Sequence, residues 1–326
     1  MAAPSYPRRR DVPIMVPAKT KAAVRPGLQG TLVHRQTKSS YHGILFASPW
    51  LVGLLLFYAF PLVASIYFSF TSYSILQPGE FVGLQNYSDL MNDDLFWKSI
   101  YNTIYFTVFF VPLSIFFGVS LAMILNINVK GMAVYRTIFF LPTLVPHVAL
   151  AVLWMWLLNP GFGLVNGVLH AVGIDGPAWL GSETWAKPSL ILMSLWGIGQ
   201  AVVIYLAGLA DIPQDYYDAS EVDGANWLQK TCKITLPLLT PVIFFNLIMG
   251  IIGAFQQFTL PYALTKGQGS PANSMTFYVM YLYDNGFKFF KMGYASAMAW
   301  LLFIVIMVLT LIIFATSKRW VHYQEK

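Results

Sequence analysis

Six long stretches of this chain contain no Asp, Glu, Lys or Arg, and that pattern restricts the fold more than any other feature. They are Ile44–Tyr73, Ser99–Asn126, Thr137–Asn159, Ser189–Ala210, Leu239–Leu260 and Met292–Ser317. Crossing about 30 Å of hydrocarbon takes roughly 20 apolar residues in a helix, and each stretch is long enough. A β-barrel is excluded, because barrel strands read as short alternating segments rather than continuous apolar runs. The expectation is an all-α membrane protein with six transmembrane helices over residues 43–317. Pro49, Pro61, Pro112, Pro142 and Pro146 fall within the runs and predict kinks, with neighbouring helices satisfying the freed carbonyls.

The charges that remain give an orientation. Only 10% of the chain is charged, against about 25% in soluble domains. With the N-terminus placed inside, fifteen bases fall on inside segments: eight in residues 1–42, then Lys130, Arg136, Lys230, Lys233, Lys318, Arg319 and Lys326. Five fall outside: Lys98, Lys187, Lys266, Lys288 and Lys291. The bias predicts that both termini are cytoplasmic, with 211–238 a cytoplasmic loop and 318–326 a short cytoplasmic tail. Residues 1–42 read as a mobile basic tail, since they carry one acid, Asp11, and five prolines. A signal peptide does not fit: the tail is too long, and the run that follows exceeds an apolar signal core and lacks a small-residue cleavage site. The net charge of +6 does not indicate nucleic acid, because the bases flank membrane segments instead of forming one patch.

Several chemistries are excluded by motif. The chain has no G-x-x-x-x-G-K-[ST] phosphate loop, no HExxH and no Cys-x-x-Cys pair, and no metal site is expected. His147 and His170 each stand alone, and Cys232 is the one cysteine. No constellation for covalent or acid–base catalysis is present, so the chain is not read as an enzyme. The runs hold no charged residue, which argues against an ion-coupled carrier or a channel. A membrane-embedded lipid-modifying enzyme would need a His/Asp/Glu cluster that is absent. The outside loops, 74–97, 160–188 and 261–291, are rich in Gly and aromatics. They suit either an interfacial belt or a surface that receives a partner protein.

Amides and small residues inside the runs are candidates for a solute path. Asn246, Gly250, Gly253 and Gln257 recur at helical spacing in the fifth run, with Gln256 beside them. Trp196 and Gln200 lie four apart in the fourth run and are expected on one face. An aromatic ring beside amides suits a sugar, whose C–H faces stack while its hydroxyls form hydrogen bonds. Ordinary helix packing accounts for any one of these residues equally well.

The fourth and fifth runs are joined by IPQDYYDASEVDGANWLQKTCKITLPLLTP, residues 212–241, which holds Asp215, Asp218, Glu221 and Asp223 and follows Asp211. Gly224 permits a tight turn after a short helix, and acids early in that helix suit its dipole. The stretch resembles the cytoplasmic motif of binding-protein-dependent ABC importer permeases. Asp218-Ala219-Ser220 stands for the Glu-Ala-Ala triplet and Gly224 for its Gly; Ile234, Leu236, Pro237 and Pro241 complete the spacing. Ile212-Pro213, Asp223 and Ala225 are similar to the carbohydrate-uptake branch, the maltose and multiple-sugar type. FVGLQNYSDL (81–90) and Arg136-Thr-Ile-Phe-Phe-Leu-Pro142 extend the likeness from about residue 41 onward.

The resemblance implies the type I ABC importer permease architecture and a role as half of a translocation pore for a sugar or oligosaccharide. It implies as partners a second homologous permease, two ATPase subunits that bind ATP and Mg, and an extracytoplasmic sugar-binding protein. It places the chain in a bacterial or archaeal inner membrane, surrounded by lipid. Coupling to the ATPase is expected through Asp218, Ala219, Ser220, Asp223, Gly224, Ala225, Trp227, Leu228, Ile234, Leu236 and Pro237. Two positions depart from the family pattern: Asp218 is one methylene shorter than Glu, and Thr231 replaces the usual aromatic. Trp227 or Leu228 is expected to supply the lost apolar contact.

Overall fold

A computed structural model describes residues 43, 45–127 and 129–322, and the basic 1–42 segment lies outside them. Packing divides the chain after Pro61. The described residues before that point are helical, with a π-helical turn at Leu55–Ala59. The regular structure of the unit from Leu62 onward is helical, and among the described residues the only β-pairings are two isolated bridges, Thr71 with Phe81 and Ser74 with Gln77.

Four continuous helices are long and apolar enough to cross a membrane. We label α1 (Leu45–Ser69), α2 (Gln85–Met91), α3 (Asp94–Leu125), α4 (Met132–Phe140), α5 (His147–Leu157), α6 (Leu164–Ala171), α7 (Glu183–Trp196), α8 (Gly199–Ala210), α9 (Gln214–Val222), α10 (Trp227–Lys230), α11 (Leu236–Phe255), α12 (Thr259–Thr265), α13 (Tyr278–Tyr283) and α14 (Met292–Ser317). A π-helical turn, Thr231–Thr235, joins α10 to α11 without a break. Large side chains on α14 such as Phe303, Val308, Leu311 and Phe314 are exposed, as a lipid-facing helix requires.

Two of the six runs are not single straight helices. The third bends by 99° between Leu144 and His147. Val145 is extended and Pro146, with ψ 136°, caps α5, because proline disfavours helical backbone in the residue before it. The fourth run starts earlier than its apolar residues suggest, at Glu183, and bends by 48° after Trp196. Lys187, counted among the outside bases, therefore lies within α7, as Asp94 and Lys98 lie within α3. Lys187 is buried, its ammonium donates to Asn102 Oδ1 at 3.3 Å, and it lies over the rings of Tyr101 and Tyr105 at 5.3 and 5.5 Å.

α3 is the central post. At 32 residues it is about 48 Å long, at roughly 1.5 Å per residue. It packs on α7, α8, α11 and α13. Gly118 admits the Tyr205 ring of α8, and Gly250 of α11 lies against Val111. One end of the bundle is closed by Leu125, Leu209, Ile212 and Leu239, the other by Leu90, Phe96, Tyr278 and Met298.

Asp93 ties that second end together. It is the N-cap of α3 and accepts from the amides of Leu95 and Phe96 at 2.9 and 3.2 Å. Its other oxygen accepts from the hydroxyls of Tyr281 and, at 2.6 Å, Tyr294. Burial alone would raise its carboxyl, but the two hydroxyls and two amides hold it below the ordinary carboxylate range. Burial pushes the Tyr281 hydroxyl up to about 12, with Asp93 adding to the rise, so it stays a donor.

A depressed folded-state value means that Asp93 stabilises the fold fully above the unfolded value of about 3.9, and that this contribution is lost as pH falls through the folded value. The melting temperature of the purified protein in detergent should decline from about pH 5 toward pH 3, and Asp93→Asn should flatten that part of the curve. An unchanged slope in the variant would assign the acid sensitivity to other carboxylates.

Candidate functional site: the 211–238 loop

The loop begins with α9, entered through Pro213 and closed by a hydrogen-bonded glycine cap. The amide of Gly224 donates to Glu221 O at 3.0 Å, and that of Ala225 donates to Ser220 O at 2.9 Å. Gly224 is left-handed, with φ 71°, and no atom lies within 4 Å of where its Cβ would be. The glycine is needed here for its conformation, not for space. Asn226 then caps α10 in a reciprocal arrangement with Gln229, with both bonds at 2.9 Å.

Two side-chain links make α9, α10 and the π-turn one piece. Lys230 Nζ meets Glu221 Oε1 at 2.7 Å, and the hydroxyls of Tyr217 and Thr235 lie 3.0 Å apart. Ile212 and Leu209 pack in the same core as Leu239 at the start of α11. α9 is thus joined to α11 through packed and hydrogen-bonded groups rather than through free loop.

The predicted coupling residues divide by exposure. Asp218, Ala219, Asp223, Gly224, Trp227 and Leu228 are exposed; Ser220 is buried, its hydroxyl donating to Tyr217 O at 2.7 Å. Ala225, Ile234, Leu236 and Pro237 are half-buried. Asp218 accepts from Gln214 Nε2 at 3.1 Å. Thr231 is only 9% exposed and lines a small cavity with Tyr217, Thr235 and Trp227, so this position faces its own chain. Trp227, at 70% exposed, and Leu228 supply the outward apolar surface. Val222, 90% exposed, joins them. Sequence reasoning missed it, although it stands four residues from Asp218 and so shares its helix face. The Tyr217–Thr235 link could not have been found by spacing, because the π-turn shifts the helical register.

The predicted path residues are less unified. Trp196 ends α7 and Gln200 lies in α8, so the bend at Gly197–Ile198 breaks the common face expected from their spacing. The α11 helix stops at Phe255, which leaves Gln256 at its cap and Gln257 in a non-helical break, correcting the placement of Gln257 on one continuous face. Asn246 is half-buried and donates to Val242 O at 3.0 Å. Gly253 is exposed, with nothing within 4 Å of its Cβ position. A cavity of about 680 Å³ between α3, α11 and α14 is lined by Leu247, Ile251 and Phe255 and by none of the predicted set. Trp196 packs edge-to-face on Trp154 at 6.0 Å, and the buried Trp154 Nε1 has no partner among the described residues. Among those residues no cluster of three or more His, Cys, Asp or Glu could hold a metal.

Replacing Gly224 with Ala forces a β-carbon into left-handed backbone. The variant should be destabilised by about 1–2 kcal/mol, visible as faster amide exchange in 214–235 without loss of the helical bundle. Unchanged exchange there would show that the cap is not what holds the loop.

The family pattern described as the binding-protein-dependent transport system inner membrane component matches residues 114–322. The probable ABC transporter permease protein YesP of Bacillus subtilis (strain 168) is 42% identical over 292 residues, covering 89% of this chain and 94% of the relative. The sulfoquinovosyl glycerol transport system permease protein SmoG of Agrobacterium fabrum is 34% identical over 270 residues, covering 82% and 87%. A chain of the bacterial alginate ABC transporter, crystallised with an alginate pentasaccharide-bound periplasmic protein, shares the fold with a TM-score of 0.77. It is 24% identical, over 87% of this chain and 96% of that one. The chain belongs to the family of binding-protein-dependent transport system inner membrane components.

Proposed function

We propose that the chain is the membrane-spanning subunit of an ATP-driven importer for a sugar or oligosaccharide, working beside a second, homologous permease. The observation that carries this reading is the 211–238 loop. It is a capped, cross-linked unit that presents an acid and three large apolar side chains outward, and it is packed onto the start of a spanning helix. In this reading the loop lies in the cytoplasm, as do both termini. Asp218 faces a basic group on the ATPase, and Val222, Trp227 and Leu228 fill its groove. The ATPase subunits bind ATP and Mg, and a binding protein delivers the solute from outside.

The solute class is supported by the relatives, named for sulfoquinovosyl glycerol and alginate. It is also supported by the chemistry of Trp196, Gln200, Asn246, Gly250, Gly253, Gln256 and Gln257. These residues need no cavity within one chain, because the path is completed by the second permease.

Asp218→Lys and Trp227→Ala should each cut uptake by about tenfold or more while the chain remains in the membrane, since each removes a central docking contact. Wild-type uptake in both would overturn the coupling assignment. Asn246→Leu and Gln257→Leu should lower saccharide uptake while leaving the binding protein's saccharide affinity unchanged. Unaltered transport in both would remove α11 from the path.

A further inference from the structure

The end of the bundle tied by Asp93 encloses a second cavity, of about 510 Å³, between α2, α13, the start of α14 and the segment after α1. This volume is within the range of built ligand sites. We infer that it receives a basic side chain, an arginine in preference to a lysine, from the extracytoplasmic binding protein. The inference rests on the importer reading, which puts this end of the bundle outside.

Two buried asparagines of the lining leave acceptors open to the cavity. Asn285 is 3% exposed and donates its amide nitrogen to Tyr281 O at 3.0 Å. Asn86 is 8% exposed and donates to Ser69 O and Thr71 O, both at 2.9 Å. These bonds fix the orientation of both amides, and neither Oδ1 has a partner among the described residues. Both residues are buried, yet their oxygens stay accessible from the cavity, so a donor that enters it can reach them. Asp93 has all its bonds but adds its charge, and Asp89 adds another, accepting only from Gln85 Nε2 at 2.7 Å. Lys291 is the one lining cation, so the cavity is negative in balance.

This lining asks for a group that donates and does not accept, and a guanidinium has five N–H donors and no acceptor. Its flat faces also suit the rim, where Phe289 and Phe290 are exposed. Phe290 holds a left-handed backbone, φ 57°, which an aromatic residue seldom adopts. A saccharide fits less well. Its hydroxyls accept as well as donate, and the hydroxyls of Tyr281 and Tyr294 are committed to Asp93. The free donors of the lining, such as Lys291 and Tyr73, belong to less buried residues.

The test uses the assembled permease–ATPase complex in nanodiscs, titrated with its own binding protein while ATP hydrolysis is followed. Asp89→Lys, at an exposed position that does not endanger folding, and Asn285→Leu should each raise the half-saturating binding-protein concentration about tenfold. The rate at saturation should stay at the wild-type level. An arginine-to-glutamate scan of the binding protein should yield one variant that restores half-saturation to Asp89→Lys. Unchanged half-saturation in both permease variants would overturn the cavity assignment alone. Stimulation by free saccharide without binding protein, lost in the same variants, would also overturn it, in favour of a sugar site. A wild-type complex that its binding protein does not stimulate would overturn the importer reading and this inference with it.

Discussion

A helix in hydrocarbon must satisfy its own backbone, and the architecture of this chain follows from where that rule is relaxed. α14 obeys it over 26 residues, and α3 stays helical over 32 although Pro112 withdraws one backbone donor. The other spans depart from it at five places: the π-turn Leu55–Ala59, Val145–Pro146, Gly197–Ile198, the π-turn Thr231–Thr235 and the break at Gln256–Phe258. Side-chain hydroxyls bond carbonyls close to two of these places. Thr143 Oγ1 donates to Phe140 O at 2.7 Å before the first bend, and Ser194 Oγ to Leu190 O at 2.8 Å before the second. Hydroxyls spaced three or four residues after a carbonyl let a span bend without exposing an unpaired group to lipid.

Bent helices fit together only where side chains are removed. At Gly199 a β-carbon would lie 2.5 Å from Phe139 O, so the second half of the fourth run rests directly on the backbone of α4. At Gly208 it would lie 2.6 Å from Val242, where α8 meets α11. At Gly293 it would lie 2.0 Å from Thr71 O, where α14 begins. Close backbone approach is the usual means of association in a solvent as apolar as the side chains themselves. The contacts at Gly199 and Gly208 link the bent spans to the helix that continues the 211–238 loop.

The sequence was informative where a single helix sufficed. Met292–Ser317 was read to the residue, because its charge-free run is bounded by Lys291 and Lys318. The loop was legible as well, since Gly224 and the spacing to Pro237 are local features, and the structure places a glycine cap and the start of a helix there. Readings that assumed one unbroken register did not hold. Trp196 and Gln200 were paired by a four-residue spacing that the Gly197 break cancels, and Gln257 was extended onto a helix that ends at Phe255. Lys187 was placed outside by hydropathy, which sees its charge but not the Tyr101 and Tyr105 rings or the Asn102 amide that compensate it. Asp93 carries no local signal of its role, because its tyrosine partners lie 188 and 201 residues away.

The two tied ends are joined through one helix. Asp93 caps the N-terminus of α3, and Arg136 closes its C-terminus, donating through Nε and Nη2 to Leu125 O at 3.1 and 2.9 Å. A negative group at the start and a positive one at the end both complement the helix dipole, so α3 is stabilised at both termini. Leu125 packs in the same core as Leu209, Ile212 and Leu239, beside the 211–238 loop. Phe96 packs with Tyr278 and Met298, beside the acceptor-lined cavity. A rod fixed at both ends cannot tilt at one without moving the other. The breaks in the neighbouring spans, at Val145–Pro146 and Gly197–Ile198, provide bends against which that rod can shift. A rigid post flanked by bent helices is therefore the arrangement through which an event at either end can be felt at the other.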